Sequence, residues 1–339
     1  MQNHLAITPI IITPGDPAGI GPEIALKAFC KEDSLRKTCV LIGDKKHLST
    51  LATDLGFDCD FAKWTPGDPL SLDKINLAEI HWPSPVISGK PDTANASLVI
   101  EAIETSVHLA QTGDVRGIVT CPIAKANLYE AGFSYPGHTE FLGALSNKNN
   151  PLMMLANAQL RVVPATIHIA LSDVTKTLSQ DMLTQLIKDV TSSLQTDFGI
   201  QVPHIAICGV NPHAGEQGAM GQDEIKLITP AITDAQNALG KTAILSGPLP
   251  ADSLFHPAKR ESYDCIIGMY HDQVLIPVKT IDFHGTVNIT LGLDFIRTSP
   301  DHGTAFDIAG KGLANEMSLI NAISYAQQMA DQRFGPQSE

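Results

Sequence analysis

Short apolar, β-branched runs recur along this chain, separated by longer stretches with helical spacing. The runs fall at 7–13, 38–43, 117–121, 152–156, 161–171, 204–210 and 265–269. Continuous apolar runs of this length suit strands covered on both faces. Between them, 22–30, 45–55, 93–111, 141–145, 177–194, 221–238 and 313–334 predict helices. Pro22 suits the first turn of its helix, and Gln222-Asp223-Glu224 places acidic groups where a helix start favours them. Residues 64–91 are rich in Pro, Asp and Ser and predict surface connection, and 249–252 reads as a loop. Strands alternating with helices predict an α/β fold with mostly parallel sheet.

A chain of 339 residues is long for one core, so two domains are expected. The formal net charge of −13 argues against nucleic acid as a main partner, so an anionic ligand would need a local cationic pocket. No apolar stretch approaches the roughly 20 residues of a membrane span, and the N-terminus does not read as a signal peptide. No membrane partner is expected. The six cysteines are scattered with no C-x-x-C pair, which predicts buried, reduced thiols in a cytoplasmic protein.

Against that background, 264–312 stands out for the polar groups crowded between its apolar runs. Cys265–Met269 ends in Tyr270-His271-Asp272, and Val274–Val278 ends in Lys279. Asn288 and Arg297 follow at nine-residue steps, and the stretch closes with 300–311. Open α/β sheets place ligands beyond the carboxyl ends of their strands. His168, His213 and His271 all fall at or just beyond such an end. Each alone reads as an ordinary hydrogen-bonded histidine; together they read as ligands of a divalent ion. Imidazole suits zinc or cobalt better than magnesium, so zinc is the first choice. Asp252 or Asp272 would support the site as an added or orienting carboxylate. Lys279, Asn288 and Arg297 would supply two cations and an amide to an anion.

Two further stretches suit anions. Gly15-Asp16-Pro17-Ala18-Gly19-Ile20-Gly21-Pro22-Glu23 is a glycine loop between a strand and a helix, though neither a G-x-G-x-x-G fingerprint nor a Walker loop. Pro136-Gly137-His138-Thr139-Glu140 precedes an apolar helix, which Thr139 or a neighbour would cap.

The glycine loop, together with His302-Gly303-Thr304-Ala305-Phe306-Asp307-Ile308-Ala309-Gly310-Lys311, resembles the isocitrate and isopropylmalate dehydrogenase superfamily. Within it the chain is most similar to the 4-hydroxythreonine-4-phosphate dehydrogenase family. That likeness runs through Pro122-Ile123-Ala124-Lys125, 136–140, Asn211-Pro212-His213-Ala214-Gly215-Glu216 and Tyr270-His271-Asp272-Gln273. The resemblance implies two α/β domains, one (1–122 plus 280–339) binding cofactor and one (123–279) binding metal and dimerising, with the active site in the cleft between them. It implies a homodimer whose site is shared across the interface, and a substrate that is a small phosphorylated hydroxy amino acid. His168, His213 and His271 match the family's metal ligands; His138, Thr139, Lys279, Asn288 and Arg297 match its substrate-binding positions. Gly15, Asp16, His302, Gly303, Thr304 and Ala305 would hold the nicotinamide cofactor, NAD or NADP. Phe306, where the isopropylmalate branch has proline, and the extra Pro17-Ala18 depart from the superfamily pattern. Candidates for the general base are Asp252, Asp272, Lys279 and a water on the ion. The competing expectations are a dehydrogenase of threonate or erythronate 4-phosphate, a phosphate acyltransferase and a non-catalytic binding protein.

Overall fold

The computed structural model describes residues 7–135, 137–146 and 151–337. The chain divides into two units: 1–151 with 293–339, and 152–292.

The first unit opens with β1 (Ile10–Thr13), α1 (Gly21–Lys31), β2 (Cys39–Gly43) and α2 (Lys45–Leu55). It continues with β3 (Phe61–Lys63), β4 (Ile75–Glu79), α3 (Ala96–Thr112), β5 (Gly117–Thr120), α4 (Lys125–Glu130) and α5 (His138–Leu145). Local chemistry sets the helix ends. The Asp44 carboxylate accepts from His47 N at 3.0 Å to cap α2, and Gly56, at φ 74°, ends it. β1, β2 and β5 are buried at every residue, as their unbroken apolar composition requires. Ile11, Val40, Ile103, Val107 and Ile118 meet in the core, where each fully buried side chain stabilises by roughly 1.5–3 kcal/mol.

The second unit holds β6 (Leu152–Asn157), β7 (Leu160–Pro164), α6 (Gln180–Phe198), β8 (His204–Cys208), α7 (Thr229–Leu239), β9 (Ile244–Leu249), β10 (Cys265–Gly268), α8 (His271–Ile281) and β11 (Val287–Leu291). Its strand order is β11-β6-β7-β10-β8-β9. β6 is antiparallel to both neighbours, β11 and β7, and β7, β10, β8 and β9 pair in parallel. The chain then returns to the first unit with β12 (Arg297–Pro300) and α9 (Met317–Phe334). β12 lies parallel to β5, completing the all-parallel order β3-β4-β2-β1-β5-β12. The α/β, mostly parallel expectation therefore holds.

Several finer expectations do not. The domain borders fall later than 122/123 and 279/280. Phe133, Phe141 and Leu142 pack into the first unit's core, and β11 pairs with β6 in the second. Residues 64–91 are not all surface: Trp64 is buried and β4 lies within them, its short apolar run masked by Pro- and Asp-rich flanks. β9, over a stretch the sequence pattern assigned to no element, runs up to the loop at 250. Residues 274–278 are helical, not extended; Pro277 sits inside α8, and Lys279 is in its last turn rather than at a strand end. β7 ends at Pro164, so His168 lies in the loop beyond it. Gly137, not Thr139, is the N-cap of α5, and no side chain caps it. Cys39, Cys121, Cys208 and Cys265 are buried thiols, but Cys30 is exposed at the outer end of α1, with its sulfur 3.3 Å from that of half-buried Cys59. Pro136 of the anion-binding motif lies outside the described residues.

Candidate functional site

In the second unit, β7, β10 and β8 are adjacent and parallel, so their carboxyl ends share one edge. His168, His271 and His213 lie four, three and five residues past those ends. Polar side chains lock the edge. Thr166 Oγ1 donates to Met269 O at 2.8 Å, joining the β7 and β10 ends. Gln273 accepts from Met269 N at 2.6 Å and donates to Gly209 O at 2.7 Å, joining β10 to β8. The His168 and His271 rings lie 5.9 Å apart between centroids. His271 Nδ1 and Asp272 Oδ1 are 2.7 Å apart, a contact that orients the ring and leaves Nε2 available.

His168, His271 and Asp272 line a pocket of about 330 Å³ with Tyr270 and Ile167. Asp252 lines a neighbouring one of about 620 Å³, again with Asp272 and Tyr270. His213 lines neither. It begins a run, His213 to Gln217, in which every φ is positive (51°, 52°, 79°, 42° and 55°). Only one of these five is glycine, and a left-handed non-glycine residue costs roughly 1–2 kcal/mol. Among the described residues, no three His, Cys, Asp or Glu side chains of this chain are arranged to hold an ion. His168 and His213 are exposed, and exposed apolar groups flank them: Ile169, Leu171, Met220 and Ile225. Lys279 reaches from α8 to within 5.6 Å of the Phe283 ring centre. Asn288, on β11, has a buried Oδ1 with no hydrogen-bond partner among the described residues.

In the first unit the remaining candidates are packed inward. Arg297, at the start of β12, is 2% exposed and donates through Nε and Nη2 to Thr120 Oγ1 at 3.1 and 2.7 Å. Burial pushes its guanidinium down to about 10, so it stays charged near neutral pH. His138 Nε2 is buried without a hydrogen-bond partner among the described residues. Burial, and then the charges of Arg297 and Lys125, hold this imidazole well below its ordinary range, so it is neutral. Thr139 follows it, half-buried, in the first turn of α5.

The glycine loop and the 302–314 loop, from opposite ends of the chain, meet in the same unit. Gly15, at φ 67°, runs so close to the backbone at 121–122 that a Cβ would sit 2.3 Å from Pro122 O. Asp16 Oδ1 accepts from Ala18 N and Oδ2 from Asn127 Nδ2, while burial raises its carboxyl. Ile20 N donates to Thr304 O at 2.9 Å. Glu23, fully buried on α1, accepts from Gly310 N and Ala314 N at 2.9 and 3.0 Å, and Lys27 donates to Gly312 O and Ala314 O. Gly303 faces open space, and the left-handed Ala305 (φ 42°) closes the turn.

Sequence reasoning did not single out Thr120, Thr166, Asn127 or Gln273 for these contacts. Gln273 stood inside a motif, two residues past its histidine; the other three carry no pattern that marks them.

Residues 35–326 match the family model for the pyridoxal phosphate biosynthetic protein PdxA. This chain belongs to the PdxA family. Its resemblance to that family extends nearly end to end. A Ruegeria sp. (strain TM1040) protein named 4-hydroxythreonine-4-phosphate dehydrogenase is 49% identical over 333 residues, covering 96% of this chain and 97% of the relative. The crystal structure of 4-hydroxythreonine-4-phosphate dehydrogenase from Klebsiella pneumoniae superposes with a TM-score of 0.86 at 36% identity, over 95% of this chain and 99% of that one. A putative enzyme of the same name from Salmonella typhimurium gives 0.86 at 39% identity, with the same coverage. The chain shares with these PdxA relatives the α/β, mostly parallel architecture expected from its sequence. Among the described residues no helix is long and apolar enough to cross a membrane.

Proposed function

We propose that this PdxA-family chain is an NAD- or NADP-dependent dehydrogenase of 4-phosphohydroxy-L-threonine in pyridoxal 5'-phosphate biosynthesis. Its product is 2-amino-3-oxo-4-phosphooxybutanoate, which decarboxylates to 3-amino-2-oxopropyl phosphate. The carrying observation is the near-complete match to relatives named for this activity, joined to a buried cationic group in an acidic chain. Arg297, half-shielded His138 and Thr139 would bind one anionic end of the substrate; Lys279 and Asn288 would bind another part. The buried Nε2 of His138 and Oδ1 of Asn288, which have no partner among the described residues, support this, because such an atom is costly unless a ligand supplies a partner.

The reaction removes a proton from the C3 hydroxyl and a hydride from C3, the hydride going to the nicotinamide. Asp252, Asp272 and Lys279 are the chain's candidates for the proton. The loops through Gly15–Asp16 and His302–Ala305 would hold and orient the dinucleotide. The β-keto acid then loses carbon dioxide, its electron pair passing to the ketone as an enol.

His168, His213 and His271 would hold a divalent ion, zinc first, with cobalt or magnesium as alternatives. The donor chemistry fits: imidazole nitrogens suit borderline ions, and Asp272 orients His271 as an outer carboxylate does around zinc. When bound, such an ion makes an alcohol proton easier to remove and stabilises negative charge on oxygen. The exposed histidine edge with Ile169, Leu171, Met220 and Ile225 beside it supports a homodimer in which a second copy completes each site. The four buried thiols suit a reducing cytoplasm.

The test is turnover of 4-phosphohydroxythreonine followed at the NADH absorbance band, with each cofactor, before and after chelation. Threonate and erythronate 4-phosphates serve as competitors. Turnover of a sugar-acid phosphate in preference to the amino acid would overturn the substrate, and full activity after exhaustive chelation would overturn the metal.

A further inference from the structure

The left-handed run from His213 to Gln217 needs something to hold it, and the chain supplies one side chain for the purpose. Glu224 opens a single π-helical turn, Glu224–Ile228, ahead of α7, and is 3% exposed. Its Oε1 accepts from Val210 N at 2.9 Å and from Asn211 N at 2.8 Å. Its Oε2 accepts from Asn211 Nδ2 at 3.0 Å, and the same Nδ2 donates to Asp223 Oδ2 at 2.9 Å. These contacts fix the two residues that lead from β8 into the turn.

The turn itself closes over the carboxylate. A Cβ on Gly215 would lie 2.5 Å from Glu224 Oε2, and one on Gly209 would lie 2.8 Å from Ala214 Cα and 3.0 Å from Glu224 Oε1. Glycine at both places lets the backbone wrap a buried acid at hydrogen-bond range. Gly221 leaves room for Asn211 in the same way, since a Cβ there would meet Asn211 Nδ2 at 2.2 Å.

We propose that Glu224 is a positioning residue: it clamps the left-handed turn so that His213 is presented for metal binding without itself touching the ion or the substrate. This rests on the reading of His213 as a ligand. Both carboxylate oxygens are needed, because Oε1 serves two backbone N–H groups and Oε2 serves a side-chain amide. A glutamine at 224 would turn an NH₂ toward Asn211 Nδ2. Rotating the Asn211 amide to relieve that would turn its oxygen toward Asp223. A neutral isostere therefore breaks the clamp while nearly preserving volume. Outer groups that orient a ligand change metal affinity by about 10–100-fold when lost.

The experiment compares full-length wild type, Glu224→Gln, Gly215→Ala and His213→Ala. Each is stripped by chelation and titrated with Co²⁺ (visible absorption) and with Zn²⁺ (competition against a chromophoric chelator), alongside melting temperature, kcat and KM. Glu224→Gln is expected to stay folded at the assay temperature, to bind either ion about 10–100-fold more weakly, and to lose kcat with little change in KM for the dinucleotide. Gly215→Ala, which attacks the clamp from the turn side, is expected to do the same and decides the matter if Glu224→Gln does not fold. If His213→Ala loses metal while folded Glu224→Gln and Gly215→Ala keep wild-type affinity, the positioning role is wrong and the ligand reading stands. A lower melting temperature with unchanged metal affinity likewise overturns the positioning role. If His213→Ala keeps its metal, the ligand reading itself fails and takes the positioning role with it.

Discussion

The first unit keeps its candidate binding groups inside, and the second keeps them on a rim. Arg297 is almost wholly buried and tied to Thr120, and His138 is driven neutral beside it. His168 and His213, by contrast, stand exposed past strand ends, held in place by backbone latches rather than by burial. A buried cation in a low-dielectric pocket is ready for an anion, at a cost to folding that the rest of the core must offset. Exposed imidazoles cost little to keep, but they gain their chemistry only from what binds across them. The contrast separates candidate groups held by the core from candidate groups left at an exposed strand edge.

The largest expected effect tests the rim. His213→Ala should lose its metal and drop kcat by on the order of 10³-fold, since the ion supplies several kcal/mol of charge stabilisation. Its circular dichroism should match wild type; full NADH production by this variant would contradict the contrast. Next, Arg297→Lys tests the pocket. Losing a guanidinium fork removes one or two charge-assisted hydrogen bonds, so KM for 4-phosphohydroxythreonine should rise about 10–100-fold. An unchanged KM would remove Arg297 from the binding set.

Acid should weaken the buried side. Burial lowers His47 to about 4 and lowers His138 as well, so both are neutral when folded and take up protons on unfolding below about 6.5. Stability is therefore full above about pH 7 and erodes as pH falls from about 6.5, for His47 until about 4. Each group contributes at most about 1.4 kcal/mol per pH unit. Urea midpoints at pH 7.5 and 5.0 should diverge less in His47→Gln than in wild type; equal divergence would refute the assignment. The smallest effect is a control. Ser179 caps α6 by accepting from Met182 N at 3.2 Å, so Ser179→Ala should cost about 1 kcal/mol while leaving kcat and KM alone.

Much of this was legible in the sequence because parallel strands buried on both faces must be apolar throughout. That is why β1, β2, β5 and β10 were evident, and why the histidines past three such runs could be picked out. The misreadings share one cause: composition over a few residues does not reveal tertiary context. The apolar 274–278 with a proline looks extended, yet it packs into the second unit's core as helix α8. β4 is hidden by its polar flanks. The His213–Gln217 turn was beyond reach, since only one of its five residues is the glycine that would announce positive φ. Glu224 was read as a favourable helix-start acid, which is true of its position but blind to its partners. Thr166 and Gln273 act through hydrogen bonds to backbone atoms that no spacing rule encodes.

β12 and the loop braced by Glu23 come from beyond residue 292, although the strand and helix that receive them are made first. On the ribosome, 152–292 emerges unbroken and can close its core while synthesis continues. The earlier segment must wait, with one side of β5 unpaired and the Glu23 carboxylate without Gly310 and Ala314. A chain truncated after residue 292 and released would thus carry one half able to close its core and one half with a bare strand edge, open to capture by chaperones or by other chains.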